Sequence, residues 1–175
     1  MDQQKVLSYA LNQVQKKIAT WLPNNLVKIW NGQLNESVFL VVLNIENSRL
    51  CNPREKLVLP VNNEIIEVPS PQMVFLDIAV VPAFSDSVEA LDLSALIKRN
   101  IYDDRNIPLD EYDWYGNEKK GTFIEFNDDR FIELPSALQK FNPYRWDIRI
   151  QVGINSAKIE KVTRVKKRQF TAVKK

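Results

Sequence analysis

The chain has 175 residues, 45% of them apolar and 26% charged, with a net charge of +2, which is the size and make-up of one ordinary globular domain. It contains no histidine, one cysteine and four glycines. That excludes a Ser-His-Asp triad, a Cys-His pair, a His-ligated metal and an internal disulfide, and the glycines form neither a GxGxxG nor a Walker A loop.

Residues 3–20 carry the clearest helical pattern. Val6, Leu7, Ala10, Leu11, Val14 and Ile18 fall at i, i+3, i+4, i+7 spacing, extended by Trp21, with Lys5, Asn12, Lys16 and Lys17 opposite. Asp2 is placed to cap this helix, and Pro23-Asn24-Asn25 ends it. The narrow polar face favours core packing over a membrane or partner surface. Residues 26–31 read as a short strand, followed by a turn at Gly32-Gln33-Leu34-Asn35.

Seven of the eight residues 38–45 are apolar and several are β-branched, too continuous for a strand wetted on one face. The run is expected to be a central strand covered on both sides, although periodicity alone does not distinguish it from a buried helix. Asn44 and Glu46 then intrude, and the chain breaks at Asn52-Pro53. Cys51, beside this strand and without an imidazole, reads as a buried or loop-lining thiol rather than a nucleophile.

Asn62-Asn63 separates two alternating runs, 57–61 and 64–68, as in a β-hairpin. Pro60 and Pro69 argue for an edge or projecting arm, because proline cannot donate to a ladder. Residues 73–81 give a second deep strand whose only charge is Asp77; that carboxylate must face solvent or be paired. Ser85-Asp86-Ser87 can cap a helix over 87–100, with Val88, Leu91, Ala95 and Leu96 expected toward the core and Lys98-Arg99 at its C-terminal end.

Residues 100–117 read as irregular, acidic and aromatic-rich. Residues 122–126 and 130–134 then resemble strands turned by Asn127-Asp128-Asp129. After Asn142-Pro143 a final strand over 144–154 alternates Trp146, Ile148, Ile150, Val152 and Ile154 on one dry face. The fold class this predicts is α+β: a mixed or mainly antiparallel sheet with a long N-terminal helix and a second helix packed on it, over residues 1–157.

Charge is uneven along the chain. Residues 158–175 hold eight lysines and arginines against Glu160 alone, about +7, leaving about −5 on residues 1–157. The segment is a basic strand or arm with three open readings: a phosphate-binding arm for nucleic acid, a partner for acidic surface on an adjacent subunit, or a solvated end. We favour the second, since Val162, Val165 and Phe170 among the charges argue for docking. Asp110 with Glu118-Lys119-Lys120 faintly echoes the acidic pair and lysine of metal-dependent nucleases. It sits in turn chemistry between Gly116-Asn117 and Gly121, which speaks against that reading. Aromatics beside carboxylates instead fit an interface loop.

The resulting candidate interface comprises Tyr102, Asp103, Asp104, Tyr112, Asp113, Trp114 and Tyr115 on one side and Lys161, Arg164, Lys166, Lys167 and Arg168 on the other. No catalytic, metal or cofactor-binding residue is expected. No apolar run approaches the roughly 20 residues that span a bilayer, and Met1-Asp2-Gln3-Gln4-Lys5 lacks a signal-peptide core. With one cysteine, an intracellular product without a membrane partner, or a particle assembled inside a cell, is expected.

The string Val41-Val42-Leu43-Asn44-Ile45-Glu46, followed by Asn52-Pro53, resembles the first strand of the tail-terminator (cap) family of contractile injection systems and contractile phage tails. In that family a helix precedes a strand reading roughly V-x-x-x-N-I-E-E, then an Asn-Pro loop and a later apolar strand. Here the helix is 3–20 and the later strand 73–81; Asn47 stands where the family has a second glutamate, and the latter half of the chain is not clearly matched. Asn44, Ile45, Glu46, Asn52 and Pro53 would then serve the fold and a loop near ring contacts. The resemblance implies a ring homo-oligomer, usually a hexamer, that caps the tail tube or sheath, meets neck or head-proximal proteins, and resides in the tail of a virion or injection particle assembled in the host cytoplasm. It implies no catalysis. The alternative is a nucleic-acid-binding module using the basic arm.

Overall fold

The computed structural model describes residues 3–23, 26–47, 56–61, 64–69, 72–107, 122–128, 131–154 and 163–165. Helix α1 runs Gln3–Trp21. Its stripe Val6, Ala10, Val14, Ile18 and Trp21 is buried, with Leu7 and Leu11 packed at the margin, as the spacing predicted.

The main sheet has five strands: β1 (Val27–Ile29), β2 (Ser37–Asn47), β5 (Gln72–Ala83), β9 (Trp146–Ile154) and β8 (Glu125–Phe126), in the order β1-β2-β5-β9-β8. β1 pairs with β2 in parallel and the remaining neighbours are antiparallel, so the sheet is mixed and the class α+β. Two further strands, β3 (Lys56–Val61) and β4 (Glu64–Pro69), form the expected hairpin, with Val61 opposite Glu64. A strand from the basic arm, β10 (Thr163–Val165), pairs antiparallel with β4 and completes a separate three-stranded sheet.

One face of the main sheet receives both helices. Val38 and Leu40 of β2, Val74, Leu76, Ile78 and Val80 of β5, and Ile148, Ile150 and Val152 of β9 meet the α1 stripe and helix α2 (Ser87–Asp103). Asp86 caps α2, its side chain accepting from Val88 N at 2.8 Å, which confirms the capping segment read from the sequence. The opposite face is covered over part of its length by a 3-10 segment, Ser136–Tyr144, whose Leu138 and Phe141 join Leu134 against Phe39, Val41, Ala79, Val81 and Ala83.

Four expectations are corrected. The run 38–45 is an inner strand covered on both faces only as far as Val41; the middle strand of the sheet is β5, and β2 has a partner on its outer side only where β1 reaches it. Val42 and Ile45 are 40% and 53% exposed, past a bulge between Val42 and Asn44, so the apolar string overruns the covered part of the sheet. On α2 the core side is Ala90, Leu93, Ser94, Ile97 and Ile101, while Val88, Leu91 and Ala95 face solvent and Leu96 is half-buried. The helix is apolar on two faces, so periodicity fixed its existence without its phase. It also continues to Asp103, which places Lys98-Arg99 ahead of the last turn and Tyr102 inside the helix.

The third correction concerns 122–126, which divides at Ile124. Strand β7 (Thr122–Phe123) pairs with β6 (Asn106–Ile107), whereas β8 pairs with β9. Lastly, residues 131–135 are not a strand; Leu134 belongs to the apolar cover that the 3-10 segment continues.

Candidate subunit-interface site

Of the acidic and aromatic residues singled out from the sequence, Tyr102, Asp103 and Asp104 stand at the C-terminal end of α2. There the chain leaves at Ile107 and returns at Thr122, and β6 and β7 hold the two ends together with Ile107 opposite Thr122. Thr122 anchors this base by donating from Oγ1 to Gln151 O of β9 at 2.8 Å. Tyr112, Asp113, Trp114 and Tyr115, like Asp110 and Glu118, lie between these ends and outside the described residues.

Tyr102, Asp103 and Asp104 occupy three different environments. Tyr102 is 68% exposed, its ring tilted against Phe126 with centroids 5.1 Å apart. Phe126 in turn meets Trp146 edge-on at 5.7 Å. Trp146 donates from Nε1 to Ser94 O and Oγ, both at 2.9 Å, and Lys98 Nζ stands 4.7 Å from its ring centroid. This row of rings is therefore fixed at one end by hydrogen bonds into α2 and open at the other, the arrangement of an aromatic anchor with a solvated tip.

Asp103 pairs with Arg99 one turn back, both well exposed, and such a pair contributes little. Asp104 points the other way and closes the fold. It accepts from Lys17 Nζ at 2.5 Å and Trp21 Nε1 at 3.3 Å, tying the end of α2 to α1. Those two hydrogen bonds, Lys17's the stronger, hold the Asp104 carboxyl below its ordinary pKa against a weak opposing effect of burial. Asp104 thus has an intramolecular task, while Tyr102 and Asp103 present their side chains outward.

On the basic side, Arg164 lies on β10 opposite Ile66 of β4; Lys161, Lys166, Lys167 and Arg168 lie outside the described residues. None of the interactions described joins the two candidate groups within one chain. Among the resemblance positions, Asn44 donates from Nδ2 to Asp77 Oδ2 at 3.3 Å and Ile45 is exposed on β2. Asn52, Pro53 and Cys51 are outside the described residues.

Sequence reasoning missed one surface, the outward face of α2 carrying Val88, Leu91 and Ala95. Its signal was present in the sequence but was assigned to the core.

The architecture defined by these elements is an α+β fold with two helices on one face of a mixed sheet and a hairpin set apart from it. No protein-family model matches the sequence, and no curated protein matches it. Among solved structures, the chain is similar to the cap of the anti-feeding prophage, described as the tube-terminating cap and determined by cryo-electron microscopy. The TM-score is 0.54 at 13% identity, over 93% of this chain and 60% of that one. At that identity the likeness is one of fold, and the chain spans 60% of the length of the cap protein.

Proposed function

We propose that this chain is a terminating cap of a phage-tail-like contractile particle, an architectural protein that closes into a ring on the end of the tail tube or sheath and stops its growth. The observation that carries the reading is the likeness of fold, over 93% of the chain, to a tube-terminating cap. The strand Val41-Val42-Leu43-Asn44-Ile45-Glu46 supports it independently, since it resembles the first strand of that family. Residues 1–157 form one domain and 158–175 an arm in this proposal. Ring closure uses different patches on neighbouring copies: the acidic and aromatic stretch that begins at the exposed Tyr102 and Asp103, against the basic arm of the next copy. The ring is a hexamer that sits in the tail of a virion or injection particle, contacting tube or sheath subunits below and neck components above.

The test is the mass of the purified protein by light scattering at low and high salt, alone and with tube or sheath subunits. A discrete ring, or a monomer that joins one when tail subunits are added, supports the proposal, and deletion of 158–175 then abolishes assembly. A second reading has one specific observation in its favour, the charge of about +7 on 158–175. A monomer that ignores tail subunits but shifts DNA or RNA in a salt-sensitive manner, lost on deleting 158–175, establishes that reading instead.

A further inference from the structure

Helix α2 is apolar on the side facing away from its own core. Val88, Leu91, Ala95 and Tyr102 follow one another at spacings of 3, 4 and 7 and so lie along one stripe. Val88, Leu91 and Tyr102 are 66%, 59% and 68% exposed, and Ala95 is exposed between them. Single exposed apolar side chains are ordinary, but a stripe of four on one helix face marks a contact surface.

Two further features specify what covers it. The stripe is centred on Ala95: Val88 and Tyr102 each lie seven residues away, and Ala95 is small enough to let a second helix backbone approach. One pair of charges beside the stripe is antisymmetric about the same residue: Asp92 precedes Ala95 by three positions and Lys98 follows it by three, while Arg99 is paired with Asp103 on its own helix. A helix with this pattern is complementary to its own antiparallel copy.

We infer that the outward face of α2 is a self-docking surface, on which two copies of this chain pair through antiparallel α2 helices crossing at Ala95. In that arrangement Val88 of each copy meets Tyr102 of the other, and Asp92 meets Lys98 twice. The aliphatic stem of Arg99 covers Leu91 across the twofold. Lys98 is held at this surface by Trp146, and Tyr102 rests on Phe126, so both are ordered before the partner arrives. The pairing does not rest on the cap proposal. A twofold contact cannot close a sixfold ring, and Tyr102 cannot serve the ring contact and this pairing at once, so the pairing joins free chains outside the ring, and the measured mass separates pair from ring.

The test uses disulfide trapping in the full chain with Cys51→Ser, which leaves an introduced cysteine as the only thiol. Ala95→Cys places two thiols at the twofold, so mild oxidation gives a covalent dimer. Val88→Cys is the control, because rise along the helix puts its two copies roughly 20 Å apart; it stays uncrosslinked. Equal trapping at both positions, or trapping at neither, overturns the inference. A charge exchange provides a second readout by sedimentation: Asp92→Lys and Lys98→Glu each weaken self-association several-fold, and mixing the two variants restores it in the heterodimer. A mixture that associates no better than either variant alone overturns the antiparallel arrangement.

Discussion

Arg149 donates from Nε to Asp77 Oδ1 at 2.6 Å and from a terminal nitrogen to Oδ2 at 3.2 Å, between directly opposed positions on β9 and β5. Asn44, opposite Asp77 on β2, adds its own hydrogen bond from the other side. This polar row crosses three strands on the sheet face that the 3-10 segment covers, and it lies where that cover ends. Toward Ala83 the face is apolar and packed by Leu134, Leu138 and Phe141; toward the other end β2 opens to solvent. The row explains how an acidic residue stands in the middle of a central strand at 0% exposure.

Asp77→Ala leaves the Arg149 guanidinium, itself largely covered, without this carboxylate. Removing one member of a buried pair costs about 3–5 kcal/mol, and the partial exposure of Arg149 sets the lower end as the expected value. Urea unfolding of wild type and Asp77→Ala measures it. A loss below about 1 kcal/mol, the range of exposed pairs, would show that the row is not structural.

The two faces of α2 respond differently to truncation. Ile97→Ala removes a fully buried side chain and costs about 2–5 kcal/mol. Leu91→Ala, on a side chain 59% exposed, changes the stability of the separated chain by less than about 0.5 kcal/mol. Both are read by chemical denaturation at the lowest protein concentration the signal allows, so that self-association does not contribute. Equal losses would return Leu91 to the core.

This helix also shows how far the sequence could be read. The existence and cap of α2, the stripe of α1, the hairpin around Asn62-Asn63 and the pairing demanded by Asp77 all follow from local pattern, and all four are present. What local pattern could not supply was which of two apolar faces on α2 met the sheet, and where along β2 the cover stopped. Those depend on neighbours distant in the chain: the reach of β1 and the placement of the 3-10 segment. At the candidate interface, the sequence located Tyr102, Asp103 and Asp104 but not the turn of Asp104 toward α1, which depends on Lys17 and Trp21 more than eighty residues away.

The 3-10 segment has a signal that is visible only in retrospect. Pro135 opens it and Asn142-Pro143 closes it, and its buried Leu138 and Phe141 are three apart, the repeat of a 3-10 turn. Leu138 is fully buried against the back of the sheet. Leu138→Ala is expected to cost about 2–5 kcal/mol, and a loss within about 0.5 kcal/mol would mean that the second apolar layer is dispensable.

The contact between Asp104 and α1 makes the joint between the two helices sensitive to acid. The folded-state pKa of Asp104 is lowered, mainly by the Lys17 hydrogen bond. A lowered carboxyl pKa contributes stability that is fully present above its unfolded value of about 4 and is lost as pH falls through the lower folded value. Wild type therefore loses its advantage over Asp104→Asn on acidification, and the gap between the two narrows below about pH 4. Because the pair is solvated, added salt shrinks the gap at neutral pH as well. Thermal unfolding of both proteins from about pH 6 to about pH 2 is the measurement. A gap that stays constant over that range would show that neither Lys17 nor Trp21 favours the ionised carboxyl, and would remove the ion pair from the account.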